Sequence, residues 1–352
     1  MRTVIYHIVL IFCSLYLVSC YKDIDLEKYR PTPKVVINSV ITTDTVVLAS
    51  VTRTWFFTEN IPDVNLKNAK VELYVDNIFR ENMVWQERED TEGNVSGCFV
   101  SSVVPREGEI VKIVVTSEYG MAYVEDKIPM LTGIDLVEMS AKKESNPDHV
   151  RITVGPDGEV VVEQIEYYAI YYRVTFQDTP GQKNYYFIYI DEGPMHEWTY
   201  GSFDFSIDPI YDNHQTVLDG VLGFDDGGGS GCVFSDEKIE GRQYTFTVKE
   251  SLDEMYVNMQ EEEGKDKYKR RILLYSLSES YYRYLVALEK IYGGSVSGSL
   301  SDIGLAEPVK VYSNVCGGVG ILGACQRAEK VVDIRNLIES TDWMNRNNYV
   351  SV

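Results

Sequence analysis

The chain has 352 residues, with 33 Lys and Arg against 54 Asp and Glu, and a formal charge of −21. This length allows one large or two ordinary domains, and the 44% hydrophobic content argues against a disordered chain. The acidity argues against nucleic acid as a partner, since a phosphate backbone requires a basic face. The 26 tyrosines favour β-strands and amphipathic contact surfaces.

The first 19 residues have the pattern of a lipoprotein signal peptide. Thr3 to Leu17 form an apolar run that is too short to span a bilayer but fits a signal sequence. The run ends in Leu17-Val18-Ser19-Cys20, a lipobox in which the cysteine receives the lipid before cleavage. The sequence therefore predicts removal of residues 1–19 and a membrane anchor at Cys20. A plain secretory signal with a chance cysteine is the alternative.

Residues 20–30 are predicted to be a tether. Lys22, Asp23 and Asp25 follow the anchoring cysteine, and a Lys followed by acidic residues resembles the signal by which Bacteroidota send lipoproteins to the cell surface. An ordinary charged tether is the alternative. Loss of residues 1–19 removes one basic and no acidic residue, so the mature chain carries 32 − 54 = −22 charges, termini excluded.

Residues 31–129 are predicted to form an immunoglobulin-like or fibronectin-like β-sandwich. Apolar and polar residues alternate from Ala69 to Val75, as in a half-buried antiparallel strand, and Asp76-Asn77 marks the following turn. About seven short strands in about 100 residues fit such a sandwich. Strands are expected at 35–41, 46–52, 69–75, 98–104, 111–116 and 121–127.

Residues 130–352 are predicted to be a larger antiparallel β domain with one packed helix. The runs 167–176 and 185–190 flank Asp178-Thr179-Pro180-Gly181, which predicts a hairpin in the centre of a sheet. The alternating aromatic residues of 185–190 form either an aromatic binding platform or part of the core. A further strand is expected at 244–248.

Residues 277–292 are predicted to form the amphipathic helix of this domain. Ser276 and Glu279 fit a capping box at its start, and Gly293-Gly294 ends it. An apolar stripe, expected to pack across a sheet, consists of Tyr281, Leu285, Leu288 and Tyr292.

Four cysteines remain after loss of the signal peptide and acylation of Cys20. In an exported protein they allow two disulfides in three connectivities. Cys316 and Cys325 bracket a glycine-rich segment that is able to fold back on itself, so a local bridge between them is predicted. The cysteine spacing and the scarcity of histidine argue against zinc, and no metal or cofactor is expected.

The sequence lacks the common catalytic motifs, namely Gly-x-Ser-x-Gly, His-Glu-x-x-His and the phosphate-binding loop. A surface hydrolase would have Asp204, Asp225 and Asp226 as its candidate residues, because carboxylate pairs cleave glycosides. Asp204, Asp208 and Asp212 recur at a spacing of four and hint at calcium, but the glycine and final glutamate of an EF-hand are missing. We therefore expect no enzymatic activity.

Several segments match one family in their order and spacing. They are the lipobox, 34–39, 68–74, 174–181 with 184–186, 234–236 with Gly241, 277–284 and the glycine-rich 314–324. Together they resemble the domain of unknown function 4249 family of Bacteroidota lipoproteins over nearly the whole mature chain. The pair Cys316 and Cys325 departs from the glycine motif of that family.

The resemblance implies an outer-membrane lipoprotein that accompanies TonB-dependent receptors, including relatives of starch-utilisation transporters, and it implies no catalytic residues. We expect a surface-exposed accessory or ligand-binding subunit of a TonB-dependent nutrient-uptake complex. Its expected partners are the receptor barrel, other surface lipoproteins and the membrane through Cys20. A surface glycan or peptide hydrolase and an adhesin are the alternatives.

Overall fold

The computed structural model describes residues 25–59, 63–89, 95–154, 158–191, 201–211, 231–253, 268–292 and 310–348. These residues are mainly β, as the sequence predicts, and form sixteen strands and two α-helices. The strands are β1 (Val35–Ile41), β2 (Leu48–Arg53), β3 (Lys70–Val75), β4 (Ile78–Asn82), β5 (Val84–Glu89), β6 (Val95–Val100), β7 (Ile110–Ser117), β8 (Gly120–Lys127), β9 (Ile134–Val154), β10 (Val160–Gln177), β11 (Tyr185–Asp191), β12 (Gly201–Asp204), β13 (Gly231–Ser235), β14 (Gln243–Asp253), β15 (Lys269–Leu277) and β16 (Val319–Asp333). The helices are α1 (Glu279–Tyr292) and α2 (Arg335–Asn348).

An eight-stranded sheet in the order β13-β11-β15-β16-β1-β2-β6-β5 forms the centre of the molecule. Its strands pair antiparallel except β1 and β16, which are parallel, with Ile37 opposite Gly320. Gly320 has a φ of +118°, and a Cβ atom there would lie 2.1 Å from the Ile37 carbonyl oxygen. The glycine is therefore required for the two strands to come together.

A four-stranded sheet, β4-β3-β7-β8, packs against the β1 and β2 part of the central sheet. Alternation in β3 buries Val71, Leu73 and Val75, since successive side chains in a strand point to opposite faces. Val71 and Leu73 join Ile37 and Val51 of the central sheet in one core. The result is a β-sandwich, as the sequence predicts for this region.

The second four-stranded sheet, β12-β14-β10-β9, packs against β11 and β15 of the central sheet. Tyr172 and Phe246 lie in this second core. A fully buried ion pair crosses it, because Arg270 of β15 donates to Glu250 of β14 with an Nη2 to Oε1 distance of 2.7 Å. Tyr172 donates to the other oxygen of Glu250. Breaking such a pair is costly, so it fixes the spacing of the two sheets.

The helix α1 lies on the opposite face of the central sheet. Along β16, Ala324 faces the first core, whereas Cys325 packs with Tyr281 and Leu285 of the helix. Tyr185 of β11 stacks on Tyr282, with ring centroids 4.6 Å apart. The helix is therefore held by half-buried aromatic residues, and within the described residues no helix is long and apolar enough to cross a membrane.

The predicted strands near the N-terminus are confirmed, with shifts of a few residues at their ends. Asp76 and Asn77 form the predicted turn with φ values of 51° and 61°, the left-handed conformation that a two-residue hairpin turn requires. In the 185–190 run, Tyr186, Ile188 and Ile190 are buried in the second core. Tyr185 and Phe187, which alternate with them, pack beneath α1 instead.

The predicted hairpin of 167–176 with 185–190 is wrong. β10 and β11 belong to different sheets, and β10 pairs with β9 and β14. The loop between them crosses the sandwich because its buried Asp178 carboxylate accepts hydrogen bonds from Tyr186 (2.5 Å), Asn184 (3.0 Å) and the Gly241 amide (2.6 Å). A buried carboxylate needs hydrogen-bond donors. Asp178 finds them in Tyr186 of the central sheet and in the Gly241 amide next to β14, so the loop runs from one sheet to the other.

The predicted helix cap at Ser276 is also wrong, since α1 begins two residues later. Ser276 lies in β15 and accepts a hydrogen bond from the Thr132 amide at 2.9 Å. The Ser278 hydroxyl caps the helix instead, accepting from the Tyr281 amide at 3.2 Å. It also donates to the Asp126 carboxylate and accepts from the Ala324 amide, so it joins β8, β16 and α1.

The division of the chain at residues 129 and 130 stays a prediction. The central sheet contains β1, β2, β5 and β6 from the N-terminal side of that division and β11, β13, β15 and β16 from the C-terminal side. The sandwich of the N-terminal region is therefore completed by a strand from the end of the chain. The parallel pairing of β1 with β16 makes this connection.

Candidate docking arm

Among the described residues, β9 and β10 continue as a two-stranded arm past Asp253, the last described residue of β14. The described pairing of β10 with β14 reaches Tyr167 and Asp253, whereas pairing of β9 with β10 continues to Val154 and Val160. We call residues 150–154 and 160–164 the arm. In the described part of the chain neither outer edge of the arm has a neighbouring strand. An unpaired edge of this kind offers its backbone groups to another chain.

A large β-bulge separates the arm from the root of the two strands. Val150 pairs with Gln164 and Ser145 pairs with Glu166, so residues 146–149 of β9 face one residue of β10. Pro147 lies in this bulge and has no amide proton for a ladder hydrogen bond. Bulges bend a strand and increase its twist, so this one sets the direction in which the arm extends.

One face of the arm is apolar and exposed. The register places Ile152 opposite Val162, Val154 opposite Val160, and Val150 opposite the polar Gln164 on the same face. The five apolar side chains are 40% to 64% exposed. Their exposed surface amounts to roughly 400 Å², the size at which apolar patches on soluble proteins are commonly functional. Five β-branched residues on one open face indicate a contact surface.

The other face of the arm is more polar. The register places Thr153 opposite Val161 on this face, and Arg151 pairs with Glu163 in the ladder. The arm is therefore amphipathic, since residues directly opposite each other in a ladder share a face. A ribbon with one apolar and one polar face is suited to lie on a surface with its polar side toward water.

The root of the arm is held by the Glu144 carboxylate on β9. It accepts hydrogen bonds from Lys142 (2.6 Å), Lys249 (2.7 Å), Tyr167 (2.8 Å) and Tyr171 (3.1 Å). Partial burial by itself would raise the pKa of Glu144, but these four donors lower it to about 2. The carboxylate is therefore charged at neutral pH and ties β9 to β10 and β14 where the arm leaves the sheet.

The predicted anchor and most of the export signal, Cys20, Lys22 and Asp23, lie outside the described residues. Asp25 is exposed and lies at the start of a 3₁₀ turn, with its carboxylate 3.6 Å from the Lys28 amine. This exposed ion pair is compatible with the predicted position of Asp25 in a tether. Lipidation and export therefore stay predictions from the sequence.

The predicted bridge between Cys316 and Cys325 is not formed, since both residues are free thiols in the described part of the chain. Cys316 is exposed and its backbone pairs with Tyr123, whereas Cys325 lies buried in β16 beneath α1. The glycine-rich segment does not fold back, because residues 319–325 form an extended strand. Six residues of strand span about 20 Å, which is far beyond the reach of a disulfide.

Of the acidic residues considered for hydrolysis or calcium binding, Asp204 and Asp208 lie in the described part of the chain. Asp204 accepts hydrogen bonds from the amide and hydroxyl of Ser206 and closes a turn. Asp208 is buried and accepts from Tyr244, the Thr247 amide and the Ile210 amide. Asp212, Asp225 and Asp226 lie outside the described residues. The two that are described thus have structural partners.

The arm was missed by the sequence analysis, although a signal for it exists. Val150-Arg151-Ile152-Thr153-Val154 alternates apolar and polar residues with the period of a strand. Such alternation predicts a strand with a buried face, but it does not reveal that the face is left uncovered. Whether the apolar face is covered depends on which other parts of the chain pack against it, and the local sequence does not show this.

Comparison with known proteins gives a family but no characterised relative. A search of curated proteins found no match to the chain. A family model described as a domain of unknown function, DUF4249, matches residues 22–331. The matched range includes the arm, its Glu144 root and residues 319–331 of the glycine-rich strand β16. The chain therefore belongs to the DUF4249 family.

Proposed function

We propose that this protein is a non-enzymatic, lipid-anchored subunit of the outer membrane that docks through its arm onto a partner protein. The observation that carries the proposal is the exposed apolar face formed by Val150, Ile152, Val154, Val160 and Val162. The lipobox at Cys20 supports the anchor. The family resemblance supports a TonB-dependent receptor as the partner and nutrient uptake as the process.

The shape of the arm favours a protein partner over insertion into lipid. A segment that crosses a bilayer must satisfy its backbone polar groups internally, because lipid offers no partner for them. The arm has Thr153 on its second face, and the sequence has Arg151 and Glu163 at paired positions of the ladder. Such a ribbon fits the surface of another protein, where the outer edge of β9, which has no neighbouring strand among the described residues, can also pair with a strand.

The size of the apolar face favours a different protein over a second copy of this chain. Two arms packed face to face bury roughly 400 Å² on each partner, whereas stable interfaces bury about 800 Å² per partner. A homodimer formed by this face alone is therefore weak. A larger partner that also contacts the body of the protein supplies the missing area.

Co-purification from native membranes tests the proposal. A tagged wild-type chain in mild detergent is expected to recover a TonB-dependent receptor. The double substitution Ile152→Lys and Val162→Lys places two charges on the apolar face, and we expect it to reduce recovery at least about tenfold, since buried unpaired charges are costly at an interface. The pair is exposed, so folding is expected to be retained.

The matched control is the substitution Thr153→Lys, which adds a charge on the opposite face of the same strand. It should leave recovery of the receptor unchanged. Equal recovery by the wild type and the Ile152→Lys, Val162→Lys variant would contradict docking through the arm. Failure of the wild type to recover any receptor would contradict the proposed partner. Binding of the isolated protein to cells without such a receptor would favour an adhesin.

A further inference from the structure

Four large apolar side chains are exposed near the first described residues. Tyr29 is 72% exposed, Phe57 66%, Trp55 49% and Leu26 41%. We call these four residues the aromatic patch. Two of them belong to the 3₁₀ turn Leu26–Tyr29 and two to the segment that follows β2. Exposed aromatic residues are costly in water when they serve no contact, so the patch requires an explanation.

Polar contacts pin the two segments of the aromatic patch to each other. Arg30 donates to Glu59 with an Nη1 to Oε1 distance of 2.6 Å, and the Thr58 hydroxyl donates to Glu27 at 2.7 Å. The Arg30 guanidinium also lies 5.2 Å from the centre of the Phe56 ring. The turn that follows the predicted anchor is thus fixed to the segment after β2, and the two pairs of exposed side chains lie on neighbouring segments.

The charges around the aromatic patch balance, in contrast to the rest of the protein. Asp25, Glu27 and Glu59 are matched by Lys28, Arg30 and Arg53, which gives a local charge of zero in a chain of −21. Arg30 and Arg53 both pair with Glu59. An acidic surface is repelled by an anionic membrane, and this region is free of that repulsion.

Chain length places the aromatic patch close to the membrane if Cys20 is acylated. Six residue steps separate Cys20 from Leu26, and a fully extended chain covers at most about 3.5 Å per residue. Leu26 therefore lies within about 20 Å of the acylated residue. Since the turn is pinned to the segment after β2, the body of the protein cannot stand farther off on a long tether.

We propose that the aromatic patch lies in the lipid headgroup region of the membrane and fixes the orientation of the protein on it. Tryptophan and tyrosine with neighbouring basic residues are the side chains found at membrane interfaces, where an apolar ring and a polar atom are both accommodated. The patch supplies a second membrane contact besides the lipid at Cys20, and two separate contacts fix how the body is oriented on the membrane. This inference rests on the anchor assigned under the proposed function.

Quenching of tryptophan fluorescence by brominated lipids tests the patch. The full lipidated chain is reconstituted into phosphatidylethanolamine and phosphatidylglycerol vesicles with bromine on the acyl chains. Trp55 is one of four tryptophans, so we expect the vesicles to quench about a quarter of the emission if that residue alone reaches the interface. The substitution Trp55→Phe should remove the quenched component.

Two further variants sharpen the test. The double substitution Tyr29→Ser and Phe57→Ser should reduce quenching of Trp55 while the acyl anchor keeps the protein on the vesicles. Trp85→Phe is the matched control, because Trp85 packs inside the sandwich against Phe99 with ring centroids 5.3 Å apart. It should leave the quenched component unchanged.

Mass spectrometry of the N-terminal peptide separates the two proposals. An acylated protein whose Trp55 is not quenched would overturn the membrane role of the patch and leave the anchor intact. Quenching that persists in the Trp55→Phe variant would overturn it as well. A peptide without acyl chains would overturn the anchor and, with it, the inference about the patch.

Discussion

At the scale of single residues, buried or half-buried carboxylates hold the structure together at its junctions. Asp178 fixes the crossing loop, Glu144 fixes the root of the arm, and Asp126 fixes the start of α1. The surroundings of Glu144 favour the ionised carboxylate, whereas those of Asp126 favour the neutral carboxylic acid. The pKa of Glu144 falls to about 2 because it accepts from two amines, whereas Asp126 has a hydroxyl partner and no nearby cation among its contacts.

Asp126 makes the stability of the protein depend on pH. Burial raises its pKa from 3.8 to about 6, although hydrogen bonds from Ser278 and the Lys127 amide act in the opposite direction. A raised pKa means that the folded state holds the proton more tightly than the unfolded state. Stability from this residue is therefore fully present below pH 3.8 and is lost as pH rises through about 6.

The substitution Asp126→Asn tests this assignment, because an amide is neutral and still accepts from Ser278. We expect it to remove a stability difference of at most about 3 kcal/mol between pH 4 and pH 7, and so to stabilise the protein at neutral pH. Urea unfolding at several pH values measures the effect. Glu125→Gln on the same strand, where Glu125 forms a surface pair with Lys112 at 3.6 Å, should change little. Unchanged pH dependence in Asp126→Asn would contradict the raised pKa.

Residue roles were predictable where local chemistry decides them and not where a distant partner does. The turn at Asp76 and Asn77 follows from their tolerance of positive φ. The cap at Ser278 depends on Asp126 and Ala324, which come from β8 and β16. Two serines two residues apart are equivalent in sequence, and only the distant partners decide that Ser278 caps the helix.

At the scale of elements, glycines determine how closely β16 approaches its neighbours. A Cβ atom at Gly318 would lie 2.4 Å from the Val35 carbonyl oxygen, and one at Gly323 would lie 2.6 Å from the Tyr281 ring. The glycines of this segment therefore allow β16 to pack closely against β1 on one side and α1 on the other. The glycines are visible in the sequence, but the residues that pack against them, such as Val35 and Tyr281, are distant in the chain.

The pair Gly320→Ala and Gly108→Ala tests this role, since both glycines have positive φ. A Cβ atom at residue 320 meets the Ile37 carbonyl oxygen at 2.1 Å, whereas at residue 108 it meets no atom within 4 Å. We expect Gly320→Ala to lower the free energy of unfolding by at least about 3 kcal/mol, or to prevent folding. Gly108→Ala should cost about 1 kcal/mol from backbone strain alone. If urea unfolding showed the same loss of unfolding free energy in both variants, close packing at Gly320 would not contribute to the stability of the protein.

The strands themselves were largely predictable, whereas their partners were not. Alternation located β3, β7 and β8 because each has one buried and one exposed face. The pairing of β10 with β14 rather than β11 was mispredicted, since the turn residues Asp178-Thr179-Pro180-Gly181 between two strands favour a hairpin. The buried Asp178 carboxylate, which needs donors from both sheets, outweighs that preference.

At the scale of the whole molecule, one sheet unites the two ends of the chain. β1 pairs with β16, so residues 36–41 lie beside residues 319–324. A parallel pair of such sequence separation leaves no local signal, and composition indicates only that the protein is mainly β. The order of the eight strands could therefore not have been predicted from the sequence.

The two proposed contact sites, the aromatic patch and the arm, lie in different parts of the molecule. The aromatic patch lies on the turn and loop beside β1 and β2, whereas the arm extends from the sheet β12-β14-β10-β9. In our account the first faces lipid and the second faces a partner protein. The charge of −22 on the mature chain then belongs to the remaining surface, and the neutral patch allows the body to approach an anionic membrane.

Site-specific photo-crosslinking in living cells tests docking through the arm most directly. A benzophenone amino acid replaces Ile152 on the apolar face or Thr153 on the opposite face of the same strand. We expect a covalent adduct with a TonB-dependent outer-membrane receptor from position 152 and little or none from position 153. Adducts of equal yield from both positions, or no adduct with any protein from position 152, would contradict docking through the arm.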